Sequence, residues 1–187
     1  SKRLIRYFLS KIRSAQTLSI FYITHSLDEA ITLGDELLYL QNGRVIAAGP
    51  INPLLTDLQL PLSKRPDACS LLLGDHIQAD EEGYLQISIK NQILTLPKTS
   101  NHPTGRIKIN ARDTGVSTHP IADVSFLNSI AGMVEDYAHV NQYLTVVKTS
   151  VAGQSVIAHI THRSWNKLGI KKGDTIYLQV KGLNLQE

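Results

Sequence analysis

The hydrophobic pattern of the first sixty residues alternates between helical and extended spacing. Residues 2–14 place Leu4, Ile5, Phe8, Leu9 and Ile12 on one face of an amphipathic helix. Residues 18–24 form an apolar run that reads as a strand buried on both faces. Helical spacing returns over residues 27–33 and stops at Gly34. Two extended runs, residues 37–40 and 44–47, flank Asn42-Gly43, a strong two-residue hairpin signal. Pro50 and Pro53 then bracket the start of a further short helix, expected to end near Leu60.

The pattern changes after Pro61. The segment Pro61-Leu62-Ser63-Lys64-Arg65-Pro66-Asp67 is a linker by composition. From Ala68 onward the apolar runs are short and the turns frequent. Strands are expected at residues 69–73, 76–79, 84–89, 92–96 and 106–110, with turns at residues 80–83 and at Lys90-Asn91 and a polar loop over 99–105. A second break falls at Thr118-His119-Pro120. Beyond it, extended runs at residues 129–136, 142–150, 155–161 and 175–181 surround one helical turn at 162–168. A β-rich half with one short helix reads as a small barrel. The pattern leaves open an oligomer-binding barrel, an SH3-like barrel and a sandwich. The expected organisation is an α/β piece at 1–61, a linker at 62–67 and a separately folding β unit at 68–187.

Composition narrows the class. A chain of 187 residues with 42% hydrophobic and 19% charged residues is an ordinary folded protein. Cys69, the single cysteine, excludes an internal disulfide framework, fits a reducing compartment and reads as a small buried hydrophobe. No apolar run reaches the roughly 18 residues of a membrane span. The net charge of +3 is mild, and 6% aromatic residues without a basic-aromatic strand pattern argue against nucleic acid.

The candidate chemistry starts at His25, between the apolar run and the helix. A histidine at such a junction can reach a phosphate bound at the carboxyl edge of a sheet. Ser26 followed by Glu29 fits a capping box, and Asp28 and Glu29 put negative charge in the first turn. The ordered series Ile23-Thr24-His25-Ser26-Leu27-Asp28-Glu29-Ala30, Gly34-Asp35-Glu36-Leu37-Leu38-Tyr39-Leu40 and Gln41-Asn42-Gly43-Arg44-Val45-Ile46-Ala47-Ala48-Gly49-Pro50 resembles the end of an ABC transporter ATPase, from its switch-histidine loop onward. Ser26 departs from that family's usual Asp. A Ser-Leu-Asp-Glu version is similar to what molybdate-type importers show. No glycine-rich phosphate loop followed by Lys-Ser or Lys-Thr occurs in these residues, so the resemblance implies that the chain starts after the nucleotide-binding machinery.

The remainder resembles the C-terminal extension of the same importers. Ile107-Lys108-Ile109-Asn110-Ala111-Arg112-Asp113 matches the stretch that closes its first half. The last part, from about residue 122 to 187, resembles the molybdate-binding module called Mop or TOBE. Ser125-Phe126-Leu127-Asn128, Ile160-Thr161-His162-Arg163-Ser164, Leu168-Gly169-Ile170-Lys171-Lys172-Gly173-Asp174 and Gln179-Val180-Lys181 carry that match. The resemblance implies an oxyanion site of Ser125, Thr161, Ser164 and Lys181, with backbone donors near Phe126 and Asn128. Leu127 stands where binding modules carry an arginine, which removes a bidentate cation. The plain alternative for Ser125, Asn128, Thr161 and Ser164 is turn and cap chemistry. His159 and His162 flank Thr161, but no Cys or carboxylate completes a metal set there. Trp165 reads as an anchor of the short helix.

The expected fold class is therefore an α/β remnant, the end of an ABC nucleotide-binding domain, followed by an all-β, oligomer-binding-fold-like barrel. The resemblance implies the C-terminal part of the ATP-binding subunit of a molybdate or tungstate importer, with His25 as the switch histidine. ATP and Mg2+ belong to the parent protein, and this chain alone requires no cofactor and should not hydrolyse ATP. Implied partners are a second copy, through the barrel, and a membrane permease, and the implied location is the cytoplasmic face of a bacterial plasma membrane. The other class carried forward is a free-standing oxyanion-binding protein for storage or sensing, for which a switch loop has no use.

Overall fold

The computed structural model describes residues 19–98, 105–181 and 183–185. The expected helix over residues 2–14 lies outside them. Helix α1 (Leu27–Leu33) starts where the capping signal places it, with the Ser26 side chain accepting from the Glu29 N–H. It runs into the hairpin of β1 (Glu36–Gln41) and β2 (Arg44–Pro50), turned by Asn42 and Gly43, both at positive φ. Helix α2 (Ile51–Leu55) follows directly.

Three expectations in this first part fail. Residues 19–24 are not a strand, and Phe21 and Ile23 are 95% and 94% exposed. A buried strand needs ladder partners, and among the described residues none lies beside it. Helix α2 stops at Leu55, about a turn before Leu60, because the Thr56 hydroxyl donates to the Asn52 carbonyl and the Asp57 carboxylate accepts from the Gln59 N–H. The expected linker is a packed corner. Pro61–Lys64 forms a 3₁₀ turn, Leu62 is 2% exposed, and the Ser63 hydroxyl donates to the Asp57 carbonyl. Its Pro and charged residues resemble a linker only in composition; Leu62 has an apolar cluster to enter.

The β-rich remainder consists of β3 (Cys69–Leu73), β4 (His76–Ala79), β5 (Tyr84–Ile89), β6 (Gln92–Pro97), β7 (Arg106–Asn110), β8 (Thr114–Ser117), β9 (Asn128–His139), β10 (Leu144–Val151), β11 (Gln154–Thr161), helix α3 (His162–Leu168), β12 (Thr175–Val180) and β13 (Leu183–Leu185). Strands β8 and β13 are short and were not evident in the hydrophobic pattern. Strand β9 runs past the expected end at 136, because Tyr137, Ala138 and His139 continue the ladder opposite Val147, Val146 and Thr145.

The largest sheet is five-stranded and antiparallel in the order β11-β10-β9-β12-β8. Strands β9, β10 and β11 form a meander, and α3 then carries the chain over to β12 beside β9. The two edges, β8 and β11, approach each other, so the sheet curls into a partly open barrel of the oligomer-binding type. Helix α3 is capped at both ends: Thr161 accepts from the Ser164 N–H, and Gly169 takes the left-handed conformation with φ 62°.

Two three-stranded sheets, β13-β7-β3 and β4-β5-β6, complete the β part. One core joins them to the barrel, with Leu72, Ile87, Leu94 and Ile107 packed among residues such as Ile130, Val147, Ile176 and Leu178. The opposite face of β3 supplies Cys69 and Leu71 to a second cluster with Leu27, Ile31, Ile51, Leu55 and Leu62. The sheet β13-β7-β3 therefore has the barrel on one face and α1 and α2 on the other.

Carboxamide side chains seal the seams where main-chain ladders do not run. The Asn128 side chain accepts from the Thr95 N–H at 2.7 Å and donates to the Thr95 carbonyl at 2.8 Å. Gln92 does the same for Ala131, and Gln154 for Leu73. Asn52 on α2 accepts from the Leu71 N–H and donates to the Ser155 carbonyl, tying the helix to β3 and β11. Such amides satisfy edge peptide groups that would otherwise be stranded.

Asn128→Leu keeps the branched outline of the side chain and removes both bonds to Thr95. Chemical denaturation should show a loss of about 2–4 kcal/mol, the cost of two stranded peptide groups. An unchanged midpoint would mean that water replaces the amide without penalty.

Candidate functional site

His25 sits exposed on the bend between residues 19–24 and α1. The loop beneath it is held by polar contacts. Thr24 Oγ1 donates to Glu29 Oε2 at 2.6 Å, and Tyr22 Oη donates to the same oxygen at 3.1 Å. The Ser26 N–H donates to Thr24 Oγ1 at 3.0 Å. Only half of the expected capping box forms: Ser26 receives the Glu29 N–H, while the Glu29 carboxylate turns to the hydroxyls of Thr24 and Tyr22. The imidazole is thus presented to solvent from a loop braced on both sides.

The helix behind this loop is anchored from β7. Arg106 Nη1 donates to Asp35 Oδ1 at 3.1 Å, and Nη2 donates to the carbonyls of Ile31 and Gly34 at the end of α1. A cation placed on the last carbonyls of a helix meets its negative end. Lys108 pairs with Asp28 in the first turn. The reading of the sequence passed over Arg106 and took Lys108 only as part of a matching stretch. The alternation Arg106-Ile107-Lys108-Ile109, with cations on one face, was the available signal. A groove of about 300 Å³ runs beside this contact, lined by Ser26, Asp28, Asp67, Lys108, Asn110 and Arg112.

The residues expected to hold an oxyanion fall into two groups. Ser125, Phe126 and Leu127 enter β9, and Lys181 leaves β12; Asn128 pairs with Val180, so these residues share one end of the barrel. Ser125 and Lys181 are exposed and Phe126 is half-buried. Thr161 and Ser164 lie at the other end, where Thr161 pairs with Leu144 and the neighbouring Thr145 pairs with His139. Eleven steps of β9 separate Asn128 from His139, roughly 35 Å of extended chain. The fold does not bring the two groups together within one chain.

Two members of the set are also occupied. The side chain of Asn128 is buried against Thr95 by both its oxygen and its nitrogen, so its amide is a seam, and the expectation of a backbone donor there does not involve it. Thr161 Oγ1 serves as the cap of α3, accepting from the Ser164 N–H at 3.0 Å and lying 2.8 Å from Ser164 Oγ. Leu127, in place of the arginine, is 66% exposed. A second groove of about 530 Å³ lies elsewhere, between Asp57 and Gln59 on one side and Met133, Glu135, Lys148 and Lys172 on the other. None of the expected oxyanion residues lines either groove.

The buried thiol and the buried imidazole are structural. Burial pushes the Cys69 thiol up to about 12, so it is an inert core residue at neutral pH. Burial also lowers the pKa of His159, against a smaller opposing effect of its hydrogen bond to the Ser63 carbonyl. His159 therefore faces Ser63, while His162 meets His139, with Nδ1 atoms 3.2 Å apart. Among the described residues, no group of three or more His, Cys, Asp or Glu side chains converges.

The sequence is similar to known proteins along most of its length. Residues 125–184 match the model of the TOBE domain. Over 179 residues the chain is 31% identical to the molybdenum import ATP-binding protein ModC of Albidiferax ferrireducens, covering 94% of this chain and 48% of that protein. It is 31% identical over 184 residues to ModC 2 of Azotobacter vinelandii, covering 96% and 51%. With ModC of Methylococcus capsulatus it shares 31% over 193 residues, covering 100% and 53%. The chain spans about half the length of the curated relatives it matches. A solved structure of the cytoplasmic molybdate-binding protein ModG, with molybdate bound, aligns at 16% identity and a TM-score of 0.44, over 62% of this chain and 89% of that one. The resemblance to the C-terminal portion of a molybdate-type ABC importer ATPase, with a terminal TOBE module, thus extends along nearly the whole chain.

Arg106→Met should loosen α1 without unfolding the barrel. The bonds to Asp35, Ile31 and Gly34 are lost, but Asp35 is open to water, so the effect is about 2 kcal/mol. Hydrogen exchange should then run about thirtyfold faster at the amides of residues 27–34 and stay unchanged in β9 and β10. Equal acceleration everywhere would show that Arg106 supports the whole fold instead.

Proposed function

We propose that this chain is the C-terminal part of the ATP-binding subunit of an ABC importer for molybdate or tungstate. The observation that carries this reading is the similarity to molybdenum import ATP-binding proteins over 94% of the chain, running from the His25 loop through the terminal module. In the complete subunit ATP hydrolysis would drive oxyanion uptake through a membrane permease, with this subunit on the cytoplasmic face. None of the helices described is long and apolar enough to cross a membrane.

His25 is the residue assigned to nucleotide. An imidazole can donate to a γ-phosphate oxygen through one ring nitrogen. The Thr24, Tyr22 and Glu29 contacts hold the loop so that the ring faces outward toward such a partner. Catalysis of phosphoryl transfer is mostly positioning and electrostatics, and it requires a phosphate loop, a metal-binding Asp and a catalytic carboxylate. The motifs of these parts do not occur in this chain, so ATP and Mg2+ are assigned to the complete subunit and no hydrolytic step to this chain alone.

The barrel is assigned a regulatory and dimerising role. Ser125 and Lys181 at one end, and Thr161 and Ser164 at the other, form two half-sites that a second copy could complete. Tetrahedral oxyanions are held by hydroxyls, peptide N–H groups and one or two cations, which these residues and the backbone near Phe126 supply. Lys181 is then the main charge, since Leu127 supplies none. A free-standing oxyanion store would use the same half-sites but has no role for the braced His25 loop.

Two measurements test the reading. In the complete ATP-binding subunit, His25→Ala should leave ATP binding largely intact and slow hydrolysis about a hundredfold or more. Unchanged turnover removes His25 from the mechanism. In the 187-residue chain, calorimetry with molybdate, tungstate and sulfate should show Lys181→Ala weakening binding about ten- to a hundredfold, with Leu127→Arg strengthening it. If neither the chain nor Leu127→Arg binds any of the three, the barrel is an assembly element and not a sensor.

A further inference from the structure

We propose that His139 and His162, with the hydroxyl of Thr145, form a binding site for a divalent transition-metal cation of the Zn2+ or Ni2+ type. This goes beyond the transport reading and does not depend on it. The two histidines are far apart in sequence and meet because three elements converge. His139 is the last residue of β9, opposite Thr145 on β10. His162 is the first residue of α3, and its N–H donates to the Tyr143 carbonyl at 2.8 Å, which fixes the helix start over the beginning of β10.

The geometry is that of a ligand face. The two Nδ1 atoms are 3.2 Å apart, and Thr145 Oγ1 lies 2.9 Å from His139 Nδ1 and 3.4 Å from His162 Nδ1. In a tetrahedral zinc site with Zn–N of about 2.0–2.1 Å, neighbouring donor atoms are about 3.3–3.4 Å apart. The three atoms therefore form a triangle close in size to one face of such a tetrahedron. Without a cation the Nδ1 atoms share a single proton, one donating and the other accepting. A cation can bind once that proton moves to Nε2 of the same ring, which leaves the Nδ1 lone pairs of both histidines available to it.

The rings are held before any ligand arrives. They stand nearly perpendicular, at 81° with centroids 4.5 Å apart. One turn along α3, Trp165 packs on Tyr137 with ring centroids 4.3 Å apart, and it lies 6.1 Å from the His139 ring. This aromatic floor fixes the side from which a cation approaches, and His139 is open to solvent. Imidazole donors select zinc, nickel and copper over magnesium and calcium, which prefer oxygen. With two nitrogens, a hydroxyl and no carboxylate, the rest of the coordination is water.

Zn2+ titration of the 187-residue chain by calorimetry, in a buffer that does not chelate, tests the site. A second readout is Trp165, the single tryptophan, whose fluorescence Ni2+ or Cu2+ at this site should quench. The expected result is one cation per chain, no response to Mg2+, and affinity reduced at least tenfold in His139→Ala and in His162→Ala, with the exposed His76→Ala unchanged. Should an alanine variant fail to fold by circular dichroism, His139→Asn or His162→Asn keeps a polar side chain and takes its place. Absence of saturable Zn2+ binding overturns the proposal. So does a double His139, His162 variant that binds as the parent chain does, because the metal then sits on other histidines.

Discussion

The structure depends on a strand that is buried on both faces by different partners. In β7, Ile107 and Ile109 point into the barrel core, while Arg106 and Lys108 point to α1. Its neighbour β3 repeats the division, with Leu72 in the barrel core and Cys69 and Leu71 in the cluster of α1 and α2. A period of two makes this possible, because alternate side chains leave a strand on opposite faces. A slip of one residue would send the isoleucines toward the helix and the cations into the core. The guanidinium of Arg106 tolerates burial because it meets Asp35 and two helix-terminal carbonyls at once.

This arrangement explains what could be read from sequence and what could not. Features set by adjacent residues were legible. The Asn42-Gly43 hairpin, the Ser26 cap and the helix from His162 to Leu168 each follow from side chains within a few positions. Features set by distant partners were not. Residues 19–24 carry the pattern of a buried strand, yet a pattern cannot supply a ladder partner. Residues 61–67 carry the composition of a linker, yet Leu62 and Ser63 fill a corner whose shape is made by α1, α2 and β3. Sequence named Asn128 as a candidate ligand neighbour; only the approach of β6 shows that Thr95 consumes its amide.

The candidate site divides the same way. Family resemblance selected His25, which stands exposed on a braced loop. Resemblance could not say that the oxyanion residues lie at opposite ends of the barrel. Nor could it find the pairing of His139 with His162, since spacing along the chain joined His162 to His159 instead. His159 lies on β11 with its ring turned to the Ser63 carbonyl, so the nearer residue in sequence is the wrong partner in space.

The division of the oxyanion residues has an energetic consequence under the proposed function. One exposed lysine with a serine is a weak anion site in water, because each contact replaces good hydration and gains little from a high dielectric. Two half-sites brought together exclude water, and the same contacts then strengthen. Binding and assembly become one equilibrium, so an oxyanion stabilises a dimer as much as the dimer creates the site. Lys181 also leads directly into β13, which pairs with β7, the strand whose Arg106 holds the helix behind His25. The end of β12 is therefore one strand pairing away from the clamp on α1.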